Sequence, residues 1–216
     1  MRNIYYAIKS LRWMALAPLF ILFLLFPLLV WSEIKLNSFS QGNLYQIGDF
    51  AQILLPVASI FWPIFVFRQY VEGNARELIF CYRKSHLFEL FVYGLAYIVL
   101  MAVPFIVLSC YYQNVWWEYL RVLIQSVFFL SFSYAAIFLM RSTALSLLLS
   151  LLLEIVFILM RDYISSQWSL FSFDCLAKDD VFFLSEQEIM DKYIILLTLS
   201  LLFLLVGSWR ARKIKT

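Results

Sequence analysis

The sequence predicts an all-α integral membrane protein with six membrane-spanning helices, and three observations carry that prediction. First, 64% of the 216 residues are hydrophobic and 14% are charged, whereas a soluble domain runs roughly 45–50% apolar and about 25% charged. The 17 basic and 14 acidic side chains cannot coat a globule that must also house 22 Phe, 13 Tyr and 7 Trp. Lipid therefore has to solvate much of the surface. Second, six apolar stretches are long enough to cross about 30 Å of hydrocarbon, for which a helix needs about 20 residues. Third, the scarce charges sort to opposite sides when the chain is threaded back and forth.

Taken in order, residues 1–12 place Ile4, Tyr5, Ile8 and Leu11 on one side of a helix, with Arg2, Lys9 and Arg12 mostly elsewhere around it. That pattern fits a short basic interfacial helix on the inner leaflet, or else a frayed positive tail. The first span is 13–32. Its apolar run is too long for a signal h-region and lacks a small-residue cleavage site, which makes it a permanent span. The second span is 50–67, with Asp49-x-x-Gln52 as a capping box at its start.

Arg68–His86 is the one sizeable inner loop. On a helical wheel Ala75, Leu78, Ile79 and Tyr82 share an arc about 100° wide, and Arg76, Glu77, Arg83 and Lys84 lie on the other side. Phe80 falls among those charges, either as an anchor for a partner's pocket or as a ring that bends back to lipid. The third span is 87–109, the fourth 119–140 and the fifth 142–160, the last containing a single charge, Glu154.

Residues 161–192 are too apolar for a solvated loop and too short and polar to span. Two readings stand: a re-entrant hairpin covered by protein, or an interfacial hairpin rich in Trp and Phe. The sixth span is 193–209, continuous with an external helix starting after Ser185, where Ser185-x-x-Glu188 reads as a capping box. Pro18, Pro27, Pro56, Pro63 and Pro104 fall inside spans, a placement that membrane helices tolerate.

Orientation follows from charge. With the N-terminus inside, 12 of the 17 basic residues fall on inner segments, while ten of the 14 acidic residues fall outside. By the positive-inside rule both ends are cytoplasmic. The same sequence removes several functions. It has five Gly and neither G-x-x-x-x-G-K-[ST] nor G-x-G-x-x-G, so no recognisable phosphate cradle. One histidine, His86, cannot build a His-based metal site, and Cys81, Cys110 and Cys175 form no C-x-x-C. Cys110 and Cys175 share the outer side, where an oxidising compartment would allow a disulfide. Nothing points to nucleic acid.

These pieces in this order resemble the permease subunit of type-2 ABC (ATP-binding-cassette) exporters. That family has an N-terminal interfacial helix, six spans, a coupling helix between spans two and three, and a re-entrant hairpin between spans five and six. In organisation the resemblance covers the whole chain. Locally it rests on Glu72-Gly73-Asn74-Ala75-Arg76-Glu77-Leu78, similar to the family's acidic–Gly–acidic-Leu stretch. Tyr82-Arg83-Lys84-Ser85 stands where the family often has Pro.

The resemblance implies a coupling helix over 72–85. Arg76, Glu77, Phe80 and Arg83 would dock an ATPase, and Glu72 and Gly73 would set the helix entry. It further implies two copies of a separate ABC ATPase carrying ATP and Mg, with no cofactor and no enzymatic activity on this chain. A second permease, the same chain or a paralogue, would complete the complex in a bacterial plasma membrane. The substrate would be an amphiphile (a peptide, lipid or drug), and the acidic outer segment favours a cationic one.

Glu154 is the most misplaced charge. An intramembrane carboxylate costs about 2.5–3.5 kcal/mol even on lenient scales, so it faces protein or water. The tight turn near Arg141 makes spans four and five neighbours, which puts Phe128 level with Glu154. Gln125, one turn further outward, is then its candidate hydrogen-bond partner. Glu154 and Gln125 form either a polar patch in a translocation path or dimer seam, or a structural tie between helices with the acid protonated. Glu89 and Arg121, each two residues into a span, read as side chains that reach headgroups, with Glu118 paired to Arg121.

Two rivals remain. One is a non-transporting accessory or immunity subunit on the same fold. The other is an intramembrane protease, because Glu72-x-x-x-Arg76 resembles part of an E-E-x-x-x-R motif. Against the protease, residue 71 is Val and His86 is the sole histidine. A secondary transporter finds no inverted repeat to support it.

Overall fold

The computed structural model of the chain describes residues 16–37, 41–72, 86–112, 115–160 and 186–213. Among these residues every regular element is helical and no strand occurs. The expected interfacial helix over 1–12, residues 73–85 of the coupling segment and the hairpin over 161–185 lie outside them.

Helix α1 comprises Leu16–Phe20, a π-helical turn Ile21–Leu25, and Phe26–Asn37. The π-turn closes with the Phe26 N–H on the Ile21 carbonyl, just before Pro27, which has no N–H with which to continue the α ladder. The next helix, α2 (Gln41–Val71), runs 31 residues, about 46 Å at 1.5 Å per residue, and so overreaches a hydrocarbon core of about 30 Å. It begins well before Asp49. The expected capping box is therefore corrected: Asp49 and Gln52 lie inside a helix, because the polar stretch 41–49 continues the helical ladder beyond the apolar run.

The remaining helices are α3 (His86–Ser109), α4 (Val115–Met140), α5 (Thr143–Met160) and α6 (Glu186–Lys213). Helix α6 is one unbroken element across both the external stretch and the last apolar run. Five of the described helices carry stretches long and apolar enough to cross a membrane, Leu16–Lys35, Gln46–Val71, His86–Ser109, Glu118–Met140 and Tyr193–Lys213. Thr143–Leu159 in α5 is apolar but shorter. The chain is a multi-pass membrane protein.

Helix α4 is the axis of the bundle. Of its apolar stretch 78% is buried, against 22% for those of α1 and α6, so α4 is enclosed by protein and the other two lie at the periphery of the described helices. It packs most extensively on α2 and α6, and also on α3 and α5. Two apolar clusters fill the interior. One gathers Phe67, Tyr70, Phe129, Tyr134 and Phe138, and the other Leu22, Phe26, Leu55, Tyr97, Met101 and Phe105.

Aromatic anchors mark the ends. Lys35 sits 4.9 Å from the Trp31 ring at the end of α1, and Lys213 sits 4.0 Å from the Trp209 ring at the end of α6. Such amphipathic pairs suit the membrane–water interface.

Small residues let the helices approach. Helix α5 turns Ser146, Ser150 and Glu154 inward and Leu145, Leu148, Leu152, Ile155, Val156 and Leu159 outward. That is the reverse of a soluble helix, because lipid accepts leucine as readily as protein does. On α6, Gly207 packs directly on the Tyr134 ring.

Candidate functional site

The bundle withdraws polar side chains from lipid at three levels, and the residues singled out in the sequence divide among them. At the first level Glu72, just past α2, reaches across to α5. Its Oε1 accepts from the Thr143 N–H at 2.6 Å and from the Thr143 hydroxyl at 2.8 Å. Its Oε2 accepts from Arg68 Nε at 3.2 Å. Thr143 opens α5, where first-turn N–H groups have no intrahelical acceptor and negative charge is favoured. Glu72 therefore caps α5 from another helix.

The chain reaches that point by a two-residue turn. Arg141 takes φ 55°, the left-handed position that more often falls to glycine after a helix, and its N–H donates to the Ile137 carbonyl at 3.1 Å. Glu72 thus ties the exit of α2 to the α4–α5 turn. The Thr143 N–H foremost, then the Thr143 hydroxyl and Arg68, hold its carboxyl below the usual carboxylate range, against an opposing pull from partial burial. The other proposed docking residues, Gly73, Arg76, Glu77, Phe80 and Arg83, lie outside the described residues.

Glu72→Ala removes this cap and is expected to lower stability by about 1 kcal/mol. Glu72→Gln keeps an acceptor and should lose less. A depressed carboxyl pKa stabilises above the ordinary carboxylate range, and that contribution fades as pH falls through the lowered value. Unfolding midpoints of wild type and Glu72→Ala in detergent should accordingly converge in acid. Midpoints that stay equally far apart at every pH would show that the charge plays no part.

The second level surrounds Glu154. Eleven residues separate it from Thr143, about 16 Å along the helix, close to half the hydrocarbon thickness. The side chain is 1% exposed, and neither carboxyl oxygen has a hydrogen-bond partner among the described residues. The Val57 backbone approaches it without reaching bonding geometry. Polar groups on and against this stretch of α2 are already committed. Ser59 Oγ lies between the carbonyls of Pro56 and Ser126, at 2.7 and 3.2 Å, and the Tyr97 hydroxyl donates to the Leu55 carbonyl. The Pro56 and Leu55 carbonyls lie in the stretch of α2 that carries Pro56 and Pro63.

The third level is a buried polar chain. The Gln125 amide donates to Gln52 Oε1 at 3.2 Å, and the Gln52 amide donates to Glu118 Oε2 at 3.3 Å. Glu118 Oε1 pairs with Arg121 at 2.9 Å, and Arg121 Nε donates to the Tyr193 hydroxyl at 3.2 Å. The chain links α2, α4 and α6.

Two expectations are corrected here. Gln125 does not bond Glu154, because it turns to α2, where Gln52 offers an acceptor. Arg121 does not extend to headgroups: the expected pair with Glu118 forms, but both partners are buried in protein. Glu89 likewise meets a protein partner, the Tyr70 hydroxyl, at 2.8 Å. Cys110 is exposed, and Cys175 lies outside the described residues.

Comparison with protein-family models, curated proteins and solved structures returns no match to the chain. The site therefore speaks through its own chemistry. Thr143 and Tyr193 were missed from sequence, and Gln52 was read only as part of a cap. Gln52 carried a signal, an amide inside an apolar run, whereas a tyrosine at the edge of such a run carries none.

Proposed function

We propose that the chain is the membrane-spanning permease subunit of an ABC exporter. It has six spans with both ends cytoplasmic, a coupling helix over 72–85 and a re-entrant hairpin before α6. Two copies of a separate ATPase and a second permease complete it, in a bacterial plasma membrane. The substrate is an amphiphile, and a cationic one suits the acidic outer segment best.

The observation that carries this reading is the Glu72 tie. The residue that opens the coupling segment bonds both α2, through Arg68, and the first residue of α5. A pull on 72–85 would therefore load two spans at once, and the second of them bears Glu154. Closure of an ATPase pair supplies such a pull, a ligand acting on a two-state element elsewhere. Glu154 and Gln125, buried within the bundle, would line the substrate path or the seam between permeases once that load parts the helices.

Phe80→Asp combined with Glu77→Lys is expected to abolish co-purification of the ATPase in mild detergent and to leave membrane insertion intact. Undiminished binding sinks the docking assignment. ATPase stimulation by cationic amphiphiles in the reconstituted complex separates a permease from a non-transporting subunit on the same fold.

A further inference from the structure

Glu154 is isolated in charge as well as in hydrogen bonding. Helices α2 and α4 pack against α5, and neither carries Asp, Glu, Lys or Arg over 50–67 or 122–140. The corresponding stretches of α1 and α6, 16–32 and 193–209, have none either, and 87–109 of α3 has only Glu89, which is held by Tyr70. Tyr97, from α3, is the titratable side chain close enough to sense Glu154, and its hydroxyl proton is committed to Leu55. Tyr134 of α4 belongs to an aromatic cluster with Phe67 and Phe138. On α5 itself, Ser150 lies one turn from Glu154 on the same buried face, and its hydroxyl is also without a partner among the described residues.

A carboxylate in this position would face no cation from these neighbours, and the Val57 backbone of α2 approaches it without reaching bonding geometry. Ionised groups left so do not persist; they neutralise. The neutral acid needs far less, one acceptor for its O–H, and the unpartnered Ser150 hydroxyl, one turn away on the same buried face, offers one once the two side chains turn toward each other.

We propose that Glu154 and Ser150 form a proton-binding site within the membrane-spanning bundle. The carboxyl holds a proton while α5 is packed on α2 and α4. When α5 parts from them, water reaches the site, the O–H bond breaks, the proton passes to water, and a hydrated carboxylate remains. The packed state binds the proton more tightly, so acid favours packing and alkali favours parting. The proposal stands whether or not the chain is a permease.

Two measurements on the full chain in lipid vesicles test it. In infrared spectra, a protonated-carboxyl C=O stretch should persist at neutral pH, shift in D2O, vanish in Glu154→Gln and move in Glu154→Asp. A spectrum whose protonated-carboxyl bands are unchanged by Glu154→Gln overturns the proposal. So does a Glu154 carboxylate signal at neutral pH that responds to sodium or ammonium instead of protons.

The second measurement places Ser150→Cys in a chain with its three native cysteines replaced by Ala, and follows alkylation by a water-soluble reagent. Its rate should rise with pH more steeply than in the Glu154→Gln background, by up to about tenfold per pH unit. Equal pH dependence in the two backgrounds shows that the proton does not hold the helices together, and it overturns the proposal as well.

Discussion

Arg121→Met is expected to destabilise the bundle by about 3–5 kcal/mol, the usual loss when one partner of a buried ion pair is removed and the other is left behind. The pair qualifies on geometry. Glu118 and Arg121 lie 2.9 Å apart, with side chains 3% and 9% exposed, and neither can turn to water without dismantling its neighbours. After the substitution Glu118 keeps the Gln52 amide at 3.3 Å but loses its only charged partner among the described residues. Tyr193 loses the guanidinium as well.

A second substitution separates the pair from its packing. Glu118→Gln in the Arg121→Met background should recover most of the loss, since a buried ion pair replaced by neutral groups of similar volume is often no less stable. Reversible unfolding of wild type, Arg121→Met, Glu118→Gln and the double variant in mixed micelles gives the coupling energy directly. A cost of Arg121→Met alone within about 0.5 kcal/mol, the range of ordinary surface changes, would mean that Arg121 sits among headgroups after all.

That network shows where sequence reading reaches and where it stops. The helices were legible, because an apolar run of about 20 residues has few alternatives in water or lipid. Their ends were less so. Helix α2 starts at Gln41, and the polar residues before Phe50 gave no reason to extend it. Facing was not legible either. Counting equal distances from the Arg141 turn put Gln125 near the level of Glu154, but each residue turns a helix by about 100°, so shared depth does not imply a shared face.

A better signal lay in α5 itself. Ser146, Ser150 and Glu154 recur every fourth residue, and in a membrane a stripe of small and polar residues marks the protein-facing side. Read that way, the stripe alone turns Glu154 toward its neighbouring helices and away from lipid. The Glu72–Thr143 tie had no such signal. It joins residues 71 positions apart and depends on how two helix ends meet.

Gly207→Leu is expected to prevent stable packing of α6 on α4, the largest effect of any single substitution here. A Cβ at this position would sit 2.7 Å from both Cδ1 and Cε1 of Tyr134 and 3.1 Å from the Ala135 Cα. The ring cannot move aside easily. Tyr134 is fully buried, with Phe67 and Phe138 at 5.2 and 5.1 Å between centroids, and the Ala135 contact is backbone. Even Gly207→Ala should cost about 1–3 kcal/mol as overpacking, although alanine is the better helix former by roughly 0.5–1 kcal/mol. Gly94 supplies the control. A Cβ there would meet the end of the Leu130 side chain at 3.2 Å, which a small rotation relieves, so Gly94→Ala should be near neutral. If the clash is the cause, Tyr134→Leu should rescue Gly207→Ala, and the two changes should be strongly non-additive in unfolding measurements. Additive costs would place the role of Gly207 in its backbone and not in the contact. Because α4 also carries Gln125, Glu118 and Arg121, a bundle that loses α6 loses the Tyr193 end of the polar chain with it. Gly207→Leu should then expose Arg121, and the cost of Arg121→Met should shrink in the Gly207→Leu background.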